Sequence, residues 1–91
     1  MPYIPEVDRD KFDEVFDFLW SKIDTHGISN GELNYIITGI CLLYIDKHKL
    51  SYNTGSDIIK ALECAKLEFY RRTMAPYEDS KLRQNGDVYP F

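Results

Sequence analysis

The chain has 91 residues, of which 44% are hydrophobic, and its 15 acids against 11 lysines and arginines give a formal charge of −4. That is enough for one small domain over 1–91 with a modest core. It argues against a duplex nucleic-acid binder, which needs a basic face to displace phosphate counterions. The longest apolar run, Ile40 to Ile45, falls far short of the roughly 20 residues of a membrane span. With a charged rather than apolar amino-terminal stretch, the expected address is the cytoplasm.

The charge is unevenly spread. Residues 1–46 sum to −6 and residues 47–91 to +2, so any anion site is expected in the second half. A domain this small gains from a partner subunit, and a homo-oligomer is expected.

Pro2 and Pro5 exclude regular helix at the start and predict an extended arm, with Tyr3 and Ile4 to tie it down. A first helix is predicted from Asp8 or Asp10. Phe12, Val15, Phe16, Leu19, Trp20 and Ile23 recur at steps of three and four as one buried stripe, and Asp10, Asp13, Glu14 and Asp17 make an acidic opposite face. That face reads as a solvated surface or as a docking surface for a basic partner. Gly27 should end the helix in a left-handed cap.

Ser29 followed by Glu32 matches a capping box, which starts a second helix. Leu33, Ile36, Ile37, Ile40, Cys41 and Tyr44 form its core stripe, and Leu42, Leu43 and Ile45 extend apolarity nearly all round. Gly39 in its middle suggests a close helix crossing. The polar stretch 46–53 reads as a loop. Thr54 or Ser56 would then cap a third helix with Ile58, Leu62, Ala65 and Phe69 inside, ending near Ala75 because Pro76 disfavours helical geometry in the residue before it.

Pro76 can open a short fourth helix, with Glu78 and Asp79 in its first turn and Asn85-Gly86 at its end. Residues 87–91 remain as an extended arm. The expected fold class is all-α: a small helical bundle of three main helices, a short C-terminal helix and extended terminal arms.

Catalysis finds little support. His26 and His48 fall in interhelical stretches with no cysteine or serine at a recognised spacing. Cys41 and Cys64 form no close metal-binding pair with each other or with the histidines, and both read as reduced core residues. No enzyme, metal site or cofactor is expected. The informative set is Lys66, Tyr70, Arg71, Arg72 and Tyr77, followed by Lys81, Arg83 and Tyr89. Arginine forks suit phosphate and tyrosine faces suit a nucleobase, which points to a nucleotide-sized anion. The structural alternative is that Glu63, Glu68, Glu78 and Asp79 simply pair with these bases.

The segments Gly31-Glu32-Leu33-Asn34-Tyr35, Leu62 to Arg72, Ala75 to Asp79 and Asn85 to Tyr89, together with the Met1 to Ile4 start, resemble a family of small uncharacterised proteins of bacteriophages and prophages. The resemblance covers most of the chain and implies no established activity. A phage-type setting implies a binder acting against host processes from the host cytoplasm, either by sequestering a signalling nucleotide or by inhibiting a host protein. In the second case the contact surface would be the acidic face of the first helix or the apolar surface of the second.

Overall fold

The computed structural model describes residues 2–91, and among these it is all-helical with no strand. Met1 lies outside the described residues. The chain groups into two units, Pro2–Ile58 and Ile59–Phe91.

In the first unit, residues 2–5 form no regular element, and the Arg9 Nε donates to the Ile4 carbonyl at 2.8 Å, which ties this arm down. Two 3-10 turns follow, Glu6–Asp8 and Asp10–Phe12, before α1, Asp13–Ile23. The helix therefore begins later than the acids alone suggest: no side chain caps Phe12, and the acids at 8 and 10 sit in the tighter turns leading in. Its end follows the sequence. Gly27 adopts φ +67° and donates its N–H to the Ile23 carbonyl at 2.7 Å.

α2, Asn30–His48, opens on the expected capping box. The Glu32 N–H donates to Ser29 Oγ at 3.1 Å and the Ser29 N–H to Glu32 Oε1 at 2.9 Å. These bonds hold the Glu32 carboxyl below its ordinary range, the Ser29 backbone N–H being the larger cause.

The stretch 46–53 is not the loop its polarity suggests. Helix continues through His48, whose ring lies 4.3 Å from that of Tyr44, and only Lys49 turns the chain, at φ +69°. Its N–H still reaches back to the Ile45 carbonyl at 2.7 Å.

α3 then starts at Tyr52 and runs to Phe69. Its start is fixed by Ser51 rather than by Thr54 or Ser56 acting as cap. The Thr54 N–H donates to Ser51 Oγ at 3.1 Å, and the Ser51 N–H donates to Thr54 Oγ1 at 2.8 Å. Thr54 thus does for α3 what Glu32 does for α2, with a hydroxyl in place of a carboxylate. Tyr44 Oη donates across to Asp57 Oδ2 at 3.4 Å.

No described residue is buried, which corrects the expectation of buried stripes. The periodicity instead orders the degree of exposure. Leu19, Ile23, Ile36, Cys41, Ile45 and Ile58 are half-buried, while Phe16 and Trp20 of the predicted α1 stripe remain 66% and 65% exposed. Among the described residues of its own unit, nothing lies within 4 Å of where a Cβ on Gly39 would stand, so the close crossing expected there is not seen within that unit. Cys41 and Cys64 are free thiols and half-buried.

In the second unit, α3 does not end at the proline. It passes into a π turn, Tyr70–Met74, and then directly into α4, Ala75–Asn85. A proline inside a regular helix would press its ring on the carbonyl four residues back. The wider turn, in which the Ala75 N–H donates to the Tyr70 carbonyl five residues earlier, makes room for Pro76 at the start of α4. Gly86, at φ +88°, ends α4 with its N–H on the Leu82 carbonyl at 2.9 Å.

Candidate functional site

The residues singled out for anion binding all fall within the second unit, with Lys66 near the end of α3, Tyr70, Arg71 and Arg72 in the π turn, Tyr77, Lys81 and Arg83 on α4, and Tyr89 beyond it. The structure engages most of them locally. Lys66 Nζ stands 3.1 Å from Glu63 Oε1, and the Arg71 guanidinium 2.7 Å from Glu68 Oε1. Both are i,i+3 pairs along one helix, and at the exposed bases such pairs contribute only about 0.2–0.5 kcal/mol. Two of the four predicted acids, Glu63 and Glu68, therefore pair with bases.

Glu78 takes a different partner. Tyr70 Oη donates to Glu78 Oε2 at 3.0 Å. The reason is the π turn: its extra residue brings the eighth position on to the face that the seventh would occupy in an unbroken helix. Sequence reading placed Glu78 as an acid at the positive end of a helix or as a partner of the bases; the signal that could have found this bond is Pro76 itself, once a π turn is allowed as its accommodation. The bond to Glu78, and then the charge of that carboxylate, raise the Tyr70 hydroxyl above its ordinary value.

Tyr77 is 55% exposed, with Lys81 Nζ 5.5 Å from its ring centroid. Arg72 has no salt bridge to a carboxylate among the described residues. The set is thus two paired bases, one bonded tyrosine, one tyrosine under a lysine, and one arginine with its fork open.

Beyond α4, the chain turns at Gly86 and the Tyr89 N–H donates to Asp87 Oδ1 at 2.8 Å. An open cleft of about 340 Å3 lies between this arm and α4, lined by Leu82, Asn85, Val88 and Tyr89 among others. No group of three or more His, Cys, Asp or Glu side chains that could hold a metal ion gathers among the described residues, and no described helix is long and apolar enough to cross a membrane.

These elements define a protein that is all-helical among its described residues. The chain belongs to the family described as Domain of unknown function (DUF6899), whose model matches residues 1–88. That agrees with the resemblance to an uncharacterised family. No curated protein and no solved structure matches the chain.

Proposed function

We propose that this protein is a non-catalytic binder of phage type that sequesters a small anionic ligand such as a signalling nucleotide, acting against host processes in the host cytoplasm. The observation that carries the reading is Arg72 in the π turn, with no salt bridge to a carboxylate among the described residues, near Lys66 and Arg71 in sequence. A phosphate presents two charge-assisted acceptors to an arginine, and Arg72 and Arg71 lie next to each other to offer such forks. Tyr70 and Tyr77 supply ring faces to a base, and Lys66 adds charge. The helices would come together as a small bundle in the working state.

The test is calorimetry of the protein against cyclic and adenine nucleotides. Binding that weakens about tenfold or more in Arg72→Ala supports the reading. No heat with any nucleotide, or affinity unchanged in both Arg72→Ala and Arg71→Ala, overturns it.

A second reading is a protein-binding inhibitor or adaptor. It is favoured by Asp13, Glu14 and Asp17, which have no salt-bridge partner among the described residues. Recovery from host lysate of one stoichiometric basic partner, released by Asp13→Lys with Asp17→Lys, would select it over the anion site.

A further inference from the structure

We infer that the cleft between α4 and the C-terminal arm is a nucleobase subsite, and that it selects guanine over adenine through the Glu78 carboxylate. The kind of occupant rests on the nucleotide reading, whereas the choice of base rests on the residues of the cleft alone. The cleft lies wholly within the unit Ile59–Phe91, and its volume of about 340 Å3 is at the small end of the roughly 300–1,000 Å3 of ligand sites. A planar base fits that size better than an extended ligand.

Leu82 and Val88 give the cleft apolar walls, and Tyr89 gives it a ring on which a base can stack. The arm that carries the ring is tied down, since the Tyr89 N–H donates to Asp87 Oδ1 at 2.8 Å. Glu78, Lys81 and Asp87 put both signs of charge on the same lining. Lys81 opposes a compact cation and the two carboxylates oppose a compact anion, so the lining suits a neutral ring with donors and acceptors along one edge. The cleft also adjoins both tyrosines of the anion reading. Tyr70 Oη is bonded to Glu78, and Lys81 Nζ stands 5.5 Å from the centre of the Tyr77 ring.

Glu78 decides which base. Tyr70 Oη donates to its Oε2 at 3.0 Å, and no other hydrogen bond or salt bridge reaches this carboxylate among the described residues. The group is therefore oriented from one side and open at Oε1. An ionised carboxylate only accepts, and each oxygen has two lone pairs. Guanine presents N1–H and the N2 amine side by side, two donors that match the two oxygens. Adenine sets the N6 amine beside the N1 lone pair, which a carboxylate oxygen repels. Lys81 Nζ, whose hydrogen-bond partner is Gln84 Oε1 at 3.4 Å, has donors left for guanine O6.

Heteronuclear NMR titration of the full chain with GMP, AMP and IMP tests this, because the three carry the same phosphate and differ only in the base. GMP is expected to bind about tenfold or more tighter than AMP, with IMP, which lacks the N2 amine, in between. The GMP shifts should include the amides of Gly86 to Tyr89. Glu78→Gln should bring GMP down to the level of AMP, while Arg72→Ala should weaken both and keep their ratio.

Equal binding of GMP and AMP, or shifts that miss residues 86–89, overturns the inference and leaves the anion reading standing. A ratio unchanged in Glu78→Gln also overturns it, and if that variant loses its fold, IMP as tight as GMP does so without any substitution. A GMP preference that Arg72→Ala leaves untouched in affinity supports the cleft and counts against the anion site. If neither GMP nor AMP binds, both readings fall.

Discussion

Two helix junctions in this chain solve opposite problems. Between α2 and α3 there is no glycine and no proline, yet the helix breaks sharply. Where α3 passes into α4 there is a proline, Pro76 in the first turn of α4, yet the helix runs on. At the first, Lys49 is held at φ +69°, ψ 146°, a region that suits glycine, and the strain is offset by the hydroxyls that follow it. Thr54 Oγ1 donates to the Lys49 carbonyl at 2.7 Å while accepting from the Ser51 N–H. At the second, the backbone absorbs Pro76 by widening one turn, and the side chains record the change in the Tyr70 to Glu78 bond. Hydrogen-bond accounting, more than residue propensity, decides where a helix ends: the break occurs where side chains can satisfy the freed backbone groups.

The comparison can be broken by substitution, with stability followed by denaturant unfolding at fixed protein concentration. The largest effect is expected at Thr54→Val, which keeps the shape but removes the oxygen that closes the α2–α3 junction; a loss of about 1–2 kcal/mol follows from the two hydrogen bonds that this oxygen makes, from the Ser51 N–H and to the Lys49 carbonyl. An unchanged midpoint would show that water replaces the hydroxyl at no cost. Lys49→Gly should act in the other direction, gaining about 1 kcal/mol by relieving the positive φ, less the bond from Lys49 Nζ to the Asp46 carbonyl.

Pro76→Ala is expected to change stability by less than about 1 kcal/mol, because the π turn has already relieved the ring. A gain near the roughly 3 kcal/mol of a proline forced into a helix interior would contradict that account.

The smallest effects are confined to the ends of the pH scale. Tyr70 is raised above its ordinary value of 10.0, so its contribution is fully present below that pH and fades as pH rises through the folded value; Tyr70→Phe should flatten this alkaline limb. Glu32 is lowered from 4.5, so its contribution is present above that pH and fades as pH falls through the folded value, and Glu32→Gln should flatten the acid limb. Urea midpoints measured across each range check both.

Much of the helical plan was legible. Ser29 with Glu32, and Gly27 behind Ile23, announce one helix boundary each because the signal is a local hydrogen bond between residues close in sequence. The α2–α3 junction was less so. A run of lysine, histidine and serine reads as loop on polarity, but the helix needs no apolar face to pass through His48, and only the paired hydroxyls reveal where the next one starts. For the candidate site, the acids that hold Lys66 and Arg71 could be read from i,i+3 spacing, whereas the partner of Tyr70 could not, since it depends on a turn of uncommon width.

By itself the sequence determined the all-helical class, the capped start of α2, the glycine stop of α1 and the placement of the bases and tyrosines around Pro76. These are set by interactions within a turn or two of helix, which spacing encodes. The three-dimensional structure decided what spacing cannot: that no described residue of the apolar stripes is fully buried, and that the chain passes Pro76 without a break. Each depends on what lies next to a residue in space, and on how the backbone redistributes hydrogen bonds when one donor is missing.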